Sequence, residues 1–391
     1  MIYSDMTGNC VSRLGFGGMR FPLLEDGRID EAQVREMVAA AIAGGVNYFD
    51  TAYPYHGGDS ERVLGRILAE YPRESWLLAS KYPGHQLFSE GHDPAGVFEK
   101  QLEKCGVDYF DFYLLHNVYE GSLATYLDPE IGIIEYFKEQ KRRGRIKHLG
   151  FSTHAQTQCL RKFLDLHGAD MEFCQIQLNY LDWTLQDGKA KYELLTERGV
   201  PIVVMEPLRG GRLATLSDGQ MERLRSVWPE EKPAALSFRF LQDLPNVRVV
   251  LSGMSNVSQI WENVAAFAGS QPLSADERAL LLDLAEEMKE SVPCTACRYC
   301  CDDCPAGLDI PYLLEVYNNM RFAPSTNVAM SVEFMDPEKR PEKCTACGAC
   351  SRICPQGIDV PTALADLVER IGGVTPWASV CVEREAAAKR G

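Results

Sequence analysis

Short apolar runs alternate with amphipathic segments over roughly the first 270 residues of the chain. The amphipathic segments have apolar residues three and four positions apart, the spacing of a helix with one buried face. Eight such strand–helix repeats predict an α/β fold, the (β/α)8 TIM barrel. The eight apolar runs of strand length are residues 13–17, 48–51, 76–81, 110–116, 146–152, 173–178, 201–205 and 247–252.

Start and stop signals support the predicted helices. Asp30 can cap a helix over residues 31–43, and Gly44 can supply its left-handed stop. A further helix is predicted to open at Asp128-Pro129 and to end at Gly144.

A doubly wound open sheet is the competing α/β fold. Its first strand would normally lead through a G-x-G-x-x-G turn into a helix. Residues 15–18 lack this spacing, and residues 19–22, Met-Arg-Phe-Pro, do not continue as a helix. The barrel is therefore favoured, with residues 1–272 as its domain.

The pattern changes after about residue 270. Ser274 and Glu277 have the spacing of a capping box and predict a helix to about residue 290. No strand pattern follows. Residues 273–391 are predicted to form a helical linker and a small, mostly helical module.

An internal repeat occupies this C-terminal part. Residues 294–311 recur as residues 344–361, and both copies begin Cys-Thr-Ala-Cys and end Gly-x-Asp-x-Pro. A helix is predicted after each copy, over residues 312–321 and 362–371, with an Asp and a Pro at its start.

Each copy contains a Cys-x2-Cys-x2-Cys-x3-Cys-Pro run, the spacing of ferredoxins that bind two [4Fe–4S] clusters. Three closely spaced thiols can bind one face of a cluster, and in two-cluster ferredoxins the fourth ligates the other cluster. On that logic one cluster has Cys294, Cys297, Cys300 and Cys354 as ligands, and the other has Cys344, Cys347, Cys350 and Cys304.

Two alternatives concern these runs. Structural zinc also uses four cysteines, but it usually pairs two Cys-x2-Cys knuckles across a longer loop. Cys301 could replace Cys300 in the first run, but the second copy has no matching extra thiol, so the register favours Cys300.

Composition narrows the classes of function. The net charge of −15 lacks the basic character that nucleic-acid phosphates or anionic lipids attract. The N-terminus does not resemble a signal peptide, and no apolar stretch approaches the roughly 20 residues of a membrane span. We therefore expect a cytoplasmic protein that binds neither nucleic acid nor membrane.

Ionisable side chains follow three consecutive predicted strands. Asp50 and Tyr55 follow the second strand, Lys81 ends the third and His116 ends the fourth. Each alone has an ordinary structural explanation as a capping, surface or hydrogen-bonded residue. Because barrel active sites lie at the carboxyl ends of the strands, their joint position predicts a catalytic site.

These four residues, with Gly-Gly-Val-Asn-Tyr-Phe-Asp at residues 44–50, resemble the aldo-keto reductase family over about residues 10–268. The resemblance implies that Tyr55 donates a proton to a carbonyl oxygen while a nicotinamide delivers hydride. It implies that Lys81, held by Asp50, lowers the tyrosine pKa from about 10. His116 would orient the carbonyl and stabilise the developing oxyanion.

The resemblance also implies positions for the nicotinamide cofactor. Those expected near the nicotinamide are Gly17, Gly18, Ser152, Gln175 and Met205, where Met205 replaces a common aromatic residue. Those expected near the phosphates are Leu208, Arg209, Gly210, Gly211, Gly253, Gln259 and Asn263. Gly253 and Gln259 stand where NADPH-dependent members place a Lys and an Arg, so both NADPH and NADH stay open.

The whole chain resembles the bacterial and archaeal aldo-keto reductases that carry a C-terminal dicluster ferredoxin module. The leading hypothesis is hydride transfer to or from a small carbonyl or alcohol substrate, with the clusters passing single electrons to a ferredoxin or flavoprotein. A flavin would connect the two chemistries, but no flavin motif is recognisable. The alternatives are an ordinary carbonyl reductase with structural or oxygen-sensing clusters, and a redox-sensing regulatory subunit.

Overall fold

The computed structural model describes residues 1–390 apart from 87, 89, 217, 289–291, 293, 295–297, 323, 355 and 356. Cys297 and Pro355 of the cysteine runs therefore lie outside the described residues. The chain forms two compact units. The barrel unit comprises Met1–Leu282 and Arg384–Gly391, and the second unit comprises Asp283–Glu383.

The barrel unit contains eight parallel strands in a closed barrel, in which the last strand pairs with the first. All eight predicted strands and the TIM-barrel fold are confirmed. An antiparallel hairpin, β1 and β2, precedes them and was not predicted. The strands are β1 (Tyr3–Met6), β2 (Asn9–Ser12), β3 (Leu14–Gly17), β4 (Tyr48–Asp50), β5 (Leu77–Tyr82), β6 (Phe110–Leu115), β7 (Ile146–Thr153), β8 (Cys174–Gln177), β9 (Ile202–Met205) and β10 (Val247–Ser252).

Helices follow the barrel strands. They are α1 (Glu31–Ala43), α2 (Asp59–Leu68), α3 (Pro94–Cys105), α4 (Leu123–Leu127), α5 (Ile133–Arg142), α6 (Thr157–His167), α7 (Asp182–Leu185), α8 (Gly188–Glu197), α9 (Asp218–Val227), α10 (Pro233–Gln242), α11 (Val257–Ala266) and α12 (Ala275–Met288). Within the described part of the chain, no helix is both long enough and apolar enough to cross a bilayer.

The predicted boundaries of α1 are partly confirmed. The Asp30 carboxylate accepts a hydrogen bond from the Gln33 backbone N–H, as an N-cap does. The predicted stop at Gly44 is wrong by one residue. Gly44 keeps a right-handed φ of −77°, whereas Gly45 takes the left-handed φ of +87°.

The predicted start of α5 at Asp128-Pro129 is also wrong. The Asp128 carboxylate accepts from the Glu130 N–H and forms a local turn, and the helix starts only after Gly132, whose φ is +66°. An Asp-Pro pair is equally suited to a turn. The predicted end is confirmed, because Gly144 takes a φ of +75°.

The hairpin covers the N-terminal end of the barrel. The Ser4 hydroxyl donates to the Arg248 carbonyl at the start of β10, and the Tyr3 hydroxyl donates to the Gly45 carbonyl just before β4. Met6 and Val11 are fully buried in the cluster of side chains that fills the barrel. Access to the barrel interior is therefore from the opposite, carboxyl end of the strands.

The described part of the second unit is helical, as predicted. The helices predicted at residues 312–321 and 362–371 are confirmed, and each starts two residues earlier. The helices at Tyr299–Asp302, Thr326–Glu333, Ala349–Ile353 and Trp377–Arg390 were not predicted. After α12, the helices are α13 (Tyr299–Asp302), α14 (Ile310–Phe322), α15 (Thr326–Glu333), α16 (Ala349–Ile353), α17 (Val360–Gly372) and α18 (Trp377–Arg390), whose end from Arg384 onwards belongs to the barrel unit.

Gly65→Ala tests the packing of α2 against α3. A Cβ at Gly65 would lie 2.3 Å from the backbone oxygen of Cys105, so the two helices must separate. We expect a loss of about 2 kcal/mol in the free energy of unfolding, measured by chemical denaturation. The matched control is Gly219→Ala on α9, where a Cβ meets nothing within 4 Å. A Gly65 variant as stable as the control would contradict this packing.

Candidate active site and cysteine sites

A buried ion pair joins the ends of two neighbouring strands. Asp50 ends β4 and Lys81 lies near the end of β5, and the Lys81 Nζ is 2.5 Å from the Asp50 Oδ1 and 2.7 Å from the Thr51 carbonyl oxygen. Both charged side chains are almost completely buried. Burial alone would lower the pKa of Lys81, but Asp50 and Tyr55 together raise it above its ordinary value. Lys81 is therefore charged.

A polar network outside the barrel holds β5 in place. Successive strand side chains point to opposite faces, so Ser80 faces the helices while Lys81 faces the interior. The Ser80 hydroxyl donates to Glu61 on α2 at 2.6 Å, and the Gln101 amide on α3 donates to the same carboxylate and to the Lys81 carbonyl. Lys104 pairs with Glu61 at 3.4 Å. This network fixes the backbone that positions Lys81.

Tyr55 begins a tight left-handed turn between β4 and α2. The three residues after it, His56, Gly57 and Gly58, all have positive φ angles. The Lys81 Nζ lies 4.9 Å from the centroid of the Tyr55 ring, and its charge acts on the Tyr55 hydroxyl. Burial raises the pKa of Tyr55, and Lys81 opposes this only in part, so the net direction is upward. Tyr55 therefore carries its proton at neutral pH.

Two histidines complete this rim. The His116 ring lies edge-on to Tyr55 at 5.9 Å between centroids and edge-on to His85 at 4.4 Å. Burial lowers the pKa of His85 to about 3 and that of His116 well below its ordinary value. The buried His116 Nδ1 has no hydrogen-bond partner among the described residues. An uncharged His116 thus lies beside Tyr55, and an uncharged His85 lies beside His116.

The predicted nicotinamide residues meet at the same end of the barrel. Ser152 and Gln175 are directly paired across β7 and β8. The Ser152 hydroxyl accepts from the Asn117 N–H at 2.8 Å and supports the rim backbone. The Gln175 amide nitrogen lies 3.6 Å from the Met205 sulfur, and its Oε1 is buried without a partner within the described residues. Gln175 thus has an unused acceptor for an amide N–H.

Gly17 and Gly18 permit close packing where β3 ends. The Gly18 N–H donates to the Asp50 carbonyl at 2.7 Å, and a Cβ at Gly18 would lie 2.9 Å from the Ser60 Oγ. A Cβ at Gly17 would lie 3.2 Å from the Ser252 carbonyl oxygen. Side chains at either position would force this loop away from the ends of β4 and β10.

The loop after β9 is tightly wound. Arg209, Gly210 and Gly211 follow Leu208 with φ angles of +47°, +67° and +93°. The buried Arg209 guanidinium lies 2.5 Å from the carboxylate of Asp182. The charge of Arg209 is therefore balanced within the protein, and the side chain anchors the loop.

The predicted residues after β10 do not form a cationic site. The Gln259 side chain accepts from the Ser255 N–H at the start of α11, and the Asn263 amide donates to the Ser252 hydroxyl. Residues 253–263 contain neither Lys nor Arg. A cation reaches this region from elsewhere, because Arg20 packs across Gly253.

Arg20 is not among the predicted site residues. Its Cδ lies 3.0 Å from the position that a Cβ would take at Gly253, and its Nη2 lies 3.6 Å from the corresponding position at Gly210. Its guanidinium also pairs with Glu206 at 3.3 Å. It therefore bridges the loops after β9 and β10. His85 is also absent from the predicted set, although its position shortly after β5 obeys the same strand-end rule that indicates His116.

Four cysteines of the second unit line one cavity. They are Cys304, Cys344, Cys347 and Cys350, and the remaining lining includes the apolar residues Leu308, Ile310 and Leu364. The Leu308 N–H lies 3.5 Å from the Cys304 sulfur. This is the predicted crossed set, three thiols from the second copy and one from the first.

The other predicted set is described in part. Cys300 is buried, Cys294 and Cys354 pack against the same apolar cluster, and Cys297 lies outside the described residues. Cys301 contacts Cys300 through their side chains. The two copies adopt the same backbone turn, because Arg298 and Gly348, 50 residues apart, precede their helices with φ of +67° and +72°.

Among the described residues, no three Cys, His, Asp or Glu side chains are placed to hold a single metal ion. The sequence spacing of the two cysteine runs is what distinguishes a cluster site from a zinc site.

Comparisons with known proteins follow this division of the chain. Residues 13–286 match the model of the Aldo/keto reductase family, and residues 293–358 match that of the 4Fe-4S dicluster domain. L-galactose dehydrogenase of Arabidopsis thaliana is 28% identical and covers 70% of this chain and 90% of its own length. The NADH-specific methylglyoxal reductase of Escherichia coli (strain K12) is 22% identical over 68% of this chain and 91% of its own.

Solved structures show the same likeness. The holo form of an aldo-keto reductase from Bacillus halodurans has a TM-score of 0.59 and 26% identity, covering 73% of this chain and 96% of its own.

His85 predicts a pH dependence of stability. Its folded pKa of about 3 lies below the unfolded value of about 6.5, so only the unfolded chain takes up this proton as the pH falls. The stabilisation from keeping His85 neutral is complete above pH 6.5 and is lost progressively as the pH falls towards 3. At pH 5 the loss amounts to about 2 kcal/mol. Urea denaturation from pH 7 to 5 should therefore show a steeper loss for the wild type than for His85→Gln. Equal slopes would mean that His85 is not a buried neutral group.

Proposed function

The chain belongs to the aldo/keto reductase family, and from this we propose that it transfers hydride between a nicotinamide dinucleotide and a carbonyl or alcohol substrate. The observation that carries the proposal is the connected set of Asp50, Lys81, Tyr55 and His116 at the open end of the barrel. Tyr55 carries its proton, and the charged Lys81 lies next to it.

Tyr55 acts as the proton donor in carbonyl reduction. As hydride adds to the carbonyl carbon, the carbonyl oxygen takes the Tyr55 proton and becomes a hydroxyl. Lys81 stabilises the resulting phenolate by charge, and Asp50 keeps Lys81 in place. Burial makes a bare phenolate costly, so removing Lys81 would raise the barrier. In the alcohol-oxidising direction, Tyr55 takes the proton back.

His116 serves to position the carbonyl. A neutral imidazole can donate one hydrogen bond to the carbonyl oxygen without competing with Tyr55 for the proton. The uncharged state of both His116 and His85 suits this role. The edge-on contact with His85 restricts the orientation of the His116 ring.

The nicotinamide cofactor supplies or accepts the hydride. Gln175 fits a nicotinamide because its buried, unpartnered Oε1 can accept from the carboxamide N–H. The tightly wound loop of residues 208–211 is suited to the pyrophosphate. Since residues 253–263 carry no cation and Arg20 is paired with Glu206, a 2′-phosphate has little to bind there, which favours NADH over NADPH. One relative is named as NADH-specific.

We further propose that the second unit binds two [4Fe–4S] clusters. The cavity lined by Cys304, Cys344, Cys347 and Cys350 supports the crossed ligand set for one of them. The matching turns at Arg298 and Gly348 support an equivalent site built from Cys294, Cys297, Cys300 and Cys354. Backbone N–H groups directed at cysteine sulfur, as at Leu308, tune the potentials of such clusters.

Clusters held by these cysteines would give the second unit a route for single electrons. Two clusters would match in number the two electrons of one hydride, and a flavin would be needed to connect hydride transfer with single-electron transfer. A ferredoxin or flavoprotein is a suitable external partner for one-electron exchange. The alternative in which the clusters are only structural or oxygen-sensing makes a different prediction, given below.

Tyr55→Phe should remove the proton donor and leave the cofactor site intact. We expect kcat for carbonyl reduction to fall on the order of 10²- to 10⁴-fold. Nucleotide binding, measured by fluorescence titration, should be unchanged. The matched control is Tyr53→Phe, since Tyr53 packs its ring on Lys104 outside the ion pair and should keep its activity. If the protein were only a regulatory subunit, the wild type would show no turnover, and Tyr55→Phe could not lower it.

Cys304→Ser tests the crossed ligands. Although Cys304 lies in the first copy, its loss should disturb the cluster held by Cys344, Cys347 and Cys350. EPR of the reduced protein should lose one of two [4Fe–4S] signals, and iron content should fall towards one cluster. The control is Cys301→Ser, which should keep both clusters. Loss of a cluster in the control would make Cys301 a ligand.

Anaerobic addition of NADH or NADPH to the oxidised holoprotein tests electron exchange. In the coupled enzyme, absorbance near 400 nm should bleach and EPR signals of reduced clusters should develop. If the clusters stay oxidised while carbonyl turnover proceeds, the clusters are structural or sensing and the electron-transfer proposal is wrong.

A further inference from the structure

The end of the last helix folds as part of the barrel unit. Residues 384–390, the C-terminal segment, contact the barrel although they follow both cysteine runs in the chain. The Ala387 Cβ lies 3.2 Å from the position that a Cβ would take at Gly57. Gly57 belongs to the left-handed turn that Tyr55 begins. The C-terminal segment therefore packs on the turn that presents the proton donor.

Arg384 lies on the same side of this helix as Ala387. Residues three apart in a helix share a face, so the contact of Ala387 with Gly57 directs Arg384 towards the same rim. The half-buried Arg384 interacts electrostatically with three rim residues, Tyr55, His85 and His116. After burial, its charge is the next largest cause of the low pKa of His85. The contact of Ala387 with Gly57 and the action of the Arg384 charge on these three side chains place the same cation at the mouth.

The other ionisable groups described around Tyr55 are either balanced by a partner or uncharged. The charge of Lys81 is balanced by Asp50 at 2.5 Å inside the barrel. Tyr55, His85 and His116 are uncharged at neutral pH. The chain as a whole has a net charge of −15, which repels anions. A negatively charged substrate therefore needs a local cation, and Arg384 places one beside the reacting groups.

We propose that Arg384 is a specificity-determining residue that binds the carboxylate of substrates carrying both a carbonyl and a carboxylate group, such as 2-oxo acids and the corresponding hydroxy acids. The proposal rests on the proposed carbonyl chemistry at Tyr55. A guanidinium has five N–H donors in a planar fork, so it can bind a carboxylate through two of them while keeping another contact. Lysine offers the charge without this geometry.

A matched pair of substrates tests the charge. Phenylglyoxylate and its methyl ester present the same ketone with and without a carboxylate. We expect Arg384→Gln to lower kcat/KM for phenylglyoxylate by about 10- to 100-fold, the range of a charge-assisted hydrogen bond, and to change the ester less than threefold. Arg384→Lys should recover part of the loss. Arg142→Gln removes an exposed arginine on α5 and should affect neither substrate.

A binding measurement separates this inference from the catalytic proposal. Benzoate and benzamide cannot be reduced, so their affinity for the protein–nucleotide complex does not depend on turnover. Arg384→Gln should weaken benzoate about tenfold or more and leave benzamide unchanged. Equal losses for both, or no benzoate binding by the wild type, would overturn the role of Arg384. Normal benzoate binding with no reduction of any carbonyl would instead refute the proposed chemistry at Tyr55.

Discussion

A lysine and an aspartate buried inside a barrel must form an ion pair, because a single unpaired charge that is removed from water costs several kcal/mol. The pair of Lys81 and Asp50 is therefore weak evidence for stability and stronger evidence for function. The Lys81 ammonium lies 4.9 Å from the centre of the Tyr55 ring, so its charge acts on the proposed proton donor. The polar network of Ser80, Glu61 and Gln101 on the outer face of β5 serves this pair by fixing the strand that carries the lysine.

The second unit has its own apolar core, which includes cysteines of both runs. Cys300 and Cys350 are buried within this cluster of side chains, and Cys294, Cys304, Cys344 and Cys354 pack against it. Equivalent turns at Arg298 and Gly348 place the copies in similar conformations. Crossed ligands would then tie each copy to the other, so that metal binding and folding of the unit are the same event.

Local periodicity and the strand-end rule were enough to predict the barrel and its eight strands, and to place Asp50, Tyr55, Lys81 and His116 at one end of it. The errors lie where a residue type suits two conformations, as with Gly44 and Asp128. Arg20 and Arg384 were not predicted, because nothing near them in the chain indicates what they contact. Each acquires its place from loops or turns that are distant in sequence. The raised pKa of Tyr55 likewise depends on burial, which cannot be read from a sequence motif.

The return of the C-terminal segment to the barrel makes the barrel unit discontinuous in the chain. The ribosome makes Arg384 only after both cysteine runs, so the mouth is completed after the cluster ligands have been synthesised. Closing a flexible loop of about 100 residues costs about 4 kcal/mol in chain entropy, and an ordered second unit removes much of that cost. With cluster binding and the role of Arg384 as proposed, chains made in a cell short of iron would lack an ordered second unit and would hold Arg384 at the mouth for a smaller fraction of the time.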